Sequence, residues 1–196
     1  SPVTALAQIR EEELRERSRG FIYRFFRENH LSSFLIAVRR VIRRHGSLEG
    51  AVAAAGGAEE LQLGLKGLTE ELVAAAPEPT SILLSNPGRG SASKRLHLFL
   101  RWMVRHDQVD PGGWERFNQG DLLVPVDTHM LKISRALGIT ERKQADLRTS
   151  KEITAFFGGI RPDDPVRYDF VLTRFGIRPG FFEEVVAEFG ENPYTP

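Results

Sequence analysis

Apolar residues recur with helical spacing in nearly every stretch of the chain long enough to test. Residues 31–45 place Leu31, Phe34, Leu35, Val38, Val41 and Ile42 on one stripe. Arg39, Arg40, Arg43 and Arg44 fall on the opposite face, where they read as a solvated surface or as contacts to phosphate, and Gly46 ends the run. Ser47 then stands where an N-cap would open a short Ala-rich helix over 48–55, closed by Gly56 and Gly57. The same spacing predicts helices over 2–18, 20–29 and 58–76, the last broken by Pro77 and Pro79. Further on it predicts a helix through Leu96, Phe99, Leu100 and Met103, then helices over 128–137, 148–158, 163–176 and 180–189. Extended character is confined to the four or five apolar residues before Asp127. The pattern therefore predicts a mostly α protein, an irregular orthogonal bundle of nine to eleven helices. It reads as a single domain over 1–196, with subdomains 1–80 and 81–196 as the other division.

Composition narrows the class without changing it. In 196 residues with 41% hydrophobic side chains there is enough apolar surface to offset the entropy of ordering the chain. No apolar run approaches the roughly 20 residues that span a bilayer, and the first twenty residues are charged rather than signal-like. A cytoplasmic, nucleoid-associated monomer with no membrane partner is expected, and the helix-like charged opening is expected to follow an upstream segment. With no cysteine, the chain excludes disulfides, thiolate zinc sites, a cysteine nucleophile and a cysteine-held iron–sulfur cluster. His30, His45, His97 and His106 have no metal-ligand spacing, so no metal and no cofactor is expected.

Charge is unevenly spread. Residues 86–151 carry twelve Lys/Arg against seven Asp/Glu, a local +5, so that the rest of this +1 chain is −4. That is the footprint of a polyanion partner, although a helix surface richer in Arg than Glu gives the same count. Two motifs lie inside the basic stretch. Pro87-Gly88-Arg89-Gly90-Ser91 is a glycine turn leading to a helix, and such a turn offers backbone N–H groups to a phosphate. It is neither a Walker A loop, since Ser93 precedes Lys94, nor a dinucleotide fingerprint, since no proper strand leads into it. A plain connection between helices would look alike. Pro125-Val126-Asp127-Thr128-His129 sets an acid at the start of a helix, an ordinary N-cap or a carboxylate held ionised for chemistry.

Taken together and in this order, Asn86-Pro87-Gly88-Arg89-Gly90, Lys94 and Pro125-Val126-Asp127-Thr128-His129-Met130 resemble the helix-hairpin-helix superfamily of DNA glycosylases, which includes endonuclease III and the 8-oxoguanine glycosylases. The long connection through the insert 107–122 is closer to the archaeal 8-oxoguanine enzymes. The wider run from about residue 20 onward is also similar to a bacterial family of unknown function. The first resemblance implies a glycosylase-like helical domain containing a helix-hairpin-helix element. It also implies base-excision repair of duplex DNA, with an oxidised purine such as 8-oxoguanine as the substrate. Asp127 would stabilise cationic character on the sugar, and Lys94, with cations Arg89 and Arg95 nearby to favour its neutral amine, would form a Schiff base that permits AP-lyase cleavage. Pro87, Gly88, Arg89, Gly90, Ser91 and Arg95 would hold the DNA backbone. An extruded base needs stacking partners, for which Trp102, Trp114, Phe21 and Tyr23 are available: Trp102 is expected to pack in the core and Trp114 to be exposed. His129 is expected to orient the local backbone. The alternative is a non-catalytic helix-hairpin-helix DNA-binding protein. The catalytic expectation requires Lys94 and Asp127 to converge beside a groove able to take an extruded nucleotide.

Overall fold

The structure, a computed structural model, describes residues 2–56, 61–79 and 84–177. The chain divides into two compact units, Ser1–Gly88 and Arg89–Pro196. Among the described residues the protein is mostly helical, with nine α-helices and one two-stranded sheet. The helix expected over 180–189 lies outside the described residues.

The first unit opens with α1 (Pro2–Gln8) and α2 (Glu11–Arg17), where the pattern predicts one continuous helix. The break falls at Ile9 and Arg10, whose extended backbone caps α2 without a side-chain hydrogen bond. The helix expected over 20–29 is instead a β-hairpin, β1 (Ile22–Tyr23) paired antiparallel with β2 (Phe26–Arg27). Gly20 and Arg24 both take positive φ, at 77° and 53°, which no helix accommodates, and the Phe/Tyr/Ile-rich run suits extended backbone. Then α3 (Glu28–His45) runs longer than its predicted stripe, burying Ser33, Ile36, Ala37, Val38, Val41 and Ile42. Ser47 accepts a 2.9 Å hydrogen bond from the Gly50 N–H, opening α4 (Leu48–Gly56) as its sequence position implies. α5 (Leu61–Ala75) closes the unit around Leu65, Leu68 and Leu72. Backbones of α4 and α5 meet so closely at Gly64 that a Cβ there would collide with the Val52 carbonyl oxygen.

Of the α3 arginines Arg43 and Arg44 are exposed, as a solvated face requires, while Arg39 and Arg40 are half-buried and bonded to the protein. Arg39 Nε donates to the Ile9 carbonyl at 2.6 Å, and Arg40 donates through Nε and Nη2 to Glu11 and through Nη1 to the Ala75 carbonyl. Arg44 and His45 both reach Glu71. Charge-assisted hydrogen bonds thus tie α2 and α5 onto α3, and the hydrogen bond from Arg40 holds the Glu11 carboxyl below its ordinary value.

The second unit contains α6 (Lys94–Val104), α7 (Thr128–Ala136), α8 (Leu147–Ile160) and α9 (Asp169–Ile177) around Leu100, Leu122, Val124, Val126, Met130, Ile153 and Val166. Among the described residues the extended run before Asp127 joins no sheet. Its Val124 N–H donates to Thr154 Oγ1 at 2.9 Å, and its Val124 carbonyl accepts from Ser150 Oγ at 2.6 Å. Two hydroxyls of α8 therefore satisfy backbone groups that a partner strand would otherwise pair.

Candidate functional site

The site grows from the starts of two helices in the second unit. Pro87–Arg89 forms a single 3₁₀ turn, followed by Gly90 at φ 79°. The Gly90 carbonyl accepts from the Leu147 N–H at 3.0 Å, and Ser91 bridges to Asp146, the residue that caps α8. The glycine turn is in this way fastened to the start of α8. Pro87 is buried, Gly88, Gly90 and Arg95 are exposed, and Ser91 is half-buried. The Arg89 side chain, like residues 80–83 that lead into the turn, lies outside what the structure describes. Ser93 follows in the left-handed region, φ 41°, buried and carrying no side-chain cap for α6. A non-glycine residue in that conformation is strained, and here it sets the direction in which Lys94 leaves the turn.

Asp127 arrives from the other side. As N-cap of α7 its Oδ1 accepts from the N–H groups of His129, at 3.0 Å, and Met130, at 2.9 Å. Its second oxygen, Oδ2, accepts a short hydrogen bond from Lys94 Nζ. The two side chains are 31% and 25% exposed, so the pair is reachable from solvent without being loose. Burial pushes the Asp127 carboxyl up, but the Lys94 hydrogen bond, the Met130 N–H and the charges of Lys94 and His129 outweigh it and hold the carboxyl below its usual range. The structural N-cap and the fixed carboxylate are thus one arrangement: one oxygen serves the helix and the other serves the amine. The Lys94 amine thus meets an acid, while the Arg89 side chain expected near it lies outside the described residues.

Two turns beyond Lys94 on α6 lies a set of residues the sequence pattern did not single out. Arg101 Nε donates to Asp110 at 3.1 Å and its Nη1 donates to Asp169, while Arg105 donates to Asp110 and, at 2.9 Å, to Asp164. All five are buried. Burial raises the Asp169 carboxyl above its ordinary value against the pull of Arg101, Thr173 and Lys94. Asp110 and Asp164 each precede a proline, a position that fixes an extended backbone. No local spacing announces ion pairs that span 59 and 68 residues. An open cleft of about 730 Å³ lies against the network, lined among others by Arg101, Arg105, Asn118, Arg167, Phe170 and Val171. Neither Lys94 nor Asp127 lines this cleft, which lies towards the far end of α6, while the two residues themselves converge as expected.

The tryptophans exchange their expected places. Trp102 is 47% exposed, whereas Trp114 is half-buried, edge-on to Phe99 at 5.5 Å between ring centroids and tilted against Phe117 at 5.9 Å. The reason is in the backbone: the Gly112 and Trp114 N–H groups donate to the Trp102 and Met103 carbonyls, folding the glycine loop back over the end of α6 and carrying the Trp114 ring inward. One further group stands out. His97, one turn after Lys94, is 1% exposed with both ring nitrogens unpartnered, and burial pushes its imidazole down to about 4.

Among the described residues no group of three or more His, Asp or Glu could hold a metal ion, and no helix is long and apolar enough to cross a membrane. No curated protein and no solved structure matches the chain. One family model does, over residues 1–178, and by that match the chain belongs to the family described as "Protein of unknown function (DUF2400)".

Proposed function

We propose that the protein is a DNA glycosylase of base-excision repair that removes a damaged base from duplex DNA, with an oxidised purine such as 8-oxoguanine as the first substrate to test. The observation that carries this reading is the single contact between Lys94 Nζ and Asp127 Oδ2, at the N-termini of two helices and open to solvent. An amine and a carboxylate in that relation supply the two groups that cleavage of an N-glycosidic bond uses. The departing base leaves a sugar with cationic character at C1′, which a fixed, ionised carboxylate stabilises electrostatically. For the lyase branch the Lys94 nitrogen bonds to C1′ as the bond to the base breaks, and the bonding pair leaves with the base, which takes up a proton. Asp127 takes the proton that the Lys94 ammonium sheds before it attacks. After the attack the nitrogen loses a further proton, and its lone pair forms the C1′=N bond of the Schiff base as the C1′–O4′ bond breaks and O4′ takes up a proton. The N–H groups of His129 and Met130 hold Asp127 in place throughout, so the acid needs no reorganisation. The turn Pro87–Gly90, with Ser91 and Arg95, is the segment assigned to the DNA backbone in a helix-hairpin-helix arrangement, and the basic charge of 86–151 supports a polyanion partner.

The test uses duplexes bearing a single 8-oxoguanine, uracil, hypoxanthine or abasic site, with and without borohydride. A trapped covalent adduct that disappears in Lys94→Gln identifies the lyase. Base release that survives Lys94→Gln but fails in Asp127→Asn identifies a monofunctional enzyme. Salt-sensitive DNA binding with no product on any duplex overturns the enzymatic reading in favour of a non-catalytic DNA-binding protein.

A further inference from the structure

The hairpin that replaces a predicted helix presents aromatic rings and arginines to solvent, and nothing in the proposed chemistry uses it. From Arg17 to Arg27 the chain carries four arginines, four aromatic residues and no acid. Phe21 and Tyr23 are exposed, Tyr23 to 56%, and Phe25 at the turn is 80% exposed. Large apolar rings exposed together on a small element mark an interaction surface more strongly than scattered ones do. Arg24 holds the turn at φ 53°, where glycine or asparagine is the unstrained choice. Its guanidinium lies over the Tyr23 ring, 5.6 Å from the centroid, so cation and ring are presented together. The nearest acid, Glu28, is turned away to the base of the hairpin, where it accepts from the Gly20 N–H at 2.6 Å.

We propose that this hairpin is a stacking platform for the unpaired bases of a single DNA strand, with Tyr23 and Phe25 meeting bases and Arg24 meeting phosphate. Interleaved rings and cations without acids are the composition that single strands select, because every base offers a π-face and every linkage a charge. A second copy of the chain is disfavoured by charge: a twofold contact would bring Arg24 against its own copy with no acid in the segment to answer it. A lipid surface is disfavoured by geometry, since the two-residue turn puts Arg24 at the same depth as Phe25, the ring that would have to enter the apolar layer. The preference for DNA over RNA rests on the function proposed above; the platform itself requires neither Lys94 nor a lesion.

The experiment is fluorescence anisotropy of a labelled twenty-nucleotide oligothymidine with the whole chain, beside oligouridine of equal length and vesicles of phosphatidylcholine and phosphatidylserine. Tyr23→Leu/Phe25→Leu keeps apolar area but removes the rings, and its thermal melt checks that the fold persists. Stacking predicts that it weakens oligothymidine binding at least about thirtyfold, about fivefold or more for each ring. Arg24→Gln lowers the dependence of log affinity on log salt by about 0.7. Undiminished binding by the leucine pair overturns the proposal. So does a parent protein that ignores oligothymidine, binds oligouridine more tightly, or partitions onto vesicles instead. Because the probe has no lesion, ring-dependent binding without base release on any duplex leaves this inference standing and removes the catalytic one. Base release with an indifferent hairpin does the reverse.

Discussion

Two sets of charges share helix α6 and behave as opposites. At its start Lys94 meets one carboxylate in a pair open to solvent, and that carboxylate is already satisfied by two backbone N–H groups. Two turns later Arg101 and Arg105 are buried among Asp110, Asp164 and Asp169, so that losing Arg101 leaves Asp169 without a cation and losing Arg105 does the same to Asp164. A buried ion pair gains its Coulomb energy only by giving up hydration, so its removal is felt as an orphaned charge. A half-exposed pair gives up little and can be opened by a substrate. The difference separates cations that hold the fold from the half-exposed cation to which the proposed chemistry is assigned, although both lie on one helix.

The largest effect expected from this contrast is on stability. Arg105→Met leaves Asp110 and Asp164 buried without its guanidinium and should destabilise the protein by about 3–5 kcal/mol. A urea titration showing a loss below about 1 kcal/mol would place those carboxylates in water and dissolve the contrast.

A comparable effect should come from pH through His97. Its folded pKa of about 4 lies below the ordinary 6.5, so between these values the unfolded chain binds the additional proton. Stability from this residue is therefore complete above pH 6.5 and falls by about 3 kcal/mol as pH drops to 4. Urea titrations at pH 7.5 and 4.5 should show the loss, and His97→Phe should remove most of it; an equal slope in the variant would trace the effect elsewhere.

Lys94→Met should change stability by less than about 1 kcal/mol, the scale of an exposed ion pair, even though it abolishes adduct trapping. A cost as large as that of Arg105→Met would make Lys94 a structural residue. Smallest of all, Asp127→Asn should lower the melting stability by a few tenths of a kcal/mol, since asparagine also caps helices, while Asp127→Ala should lose about 1 kcal/mol. Because the Asp127 carboxyl lies below its ordinary value, its contribution is present above about pH 4 and disappears as pH falls through the lowered folded value. Stability curves of wild type and Asp127→Asn should therefore converge in acid. Curves that stay parallel through that window would mean that the carboxyl titrates alike in the folded and the unfolded chain.

Local pattern made part of this architecture readable. α3, α7 and α8 form where helical spacing predicts them, and Ser47 and Asp127 cap where their positions before apolar runs imply, because periodicity and cap are properties of a few neighbouring residues. Only the second half of the α3 stripe, Val38, Val41 and Ile42, is the buried one, since Ser33, Ile36 and Ala37 replace Leu31, Phe34 and Leu35 earlier on. The hairpin was hidden, since Phe21, Phe25 and Phe26 also fit helical spacing and only the backbone shows Arg24 at positive φ. Trp114 is misleading in the opposite way: a glycine-rich loop suggests exposure, yet those glycines let the chain fold back and half-bury the ring. The approach of Lys94 to Asp127 was legible as a pairing of motifs. The Arg101–Arg105 network was not, because contacts across 59 and 68 residues leave no periodic trace.

The run before Asp127 has a mechanical consequence. Its Val124 amide and carbonyl are gripped by hydroxyls from a single helix, so the run cannot slide past a neighbouring strand as a ladder can. A shift of even one residue would release Thr154 and Ser150 together. The height at which the acid meets the amine is thereby indexed to α8, and trimming either hydroxyl would detune the pair from a distance while leaving both of its members intact.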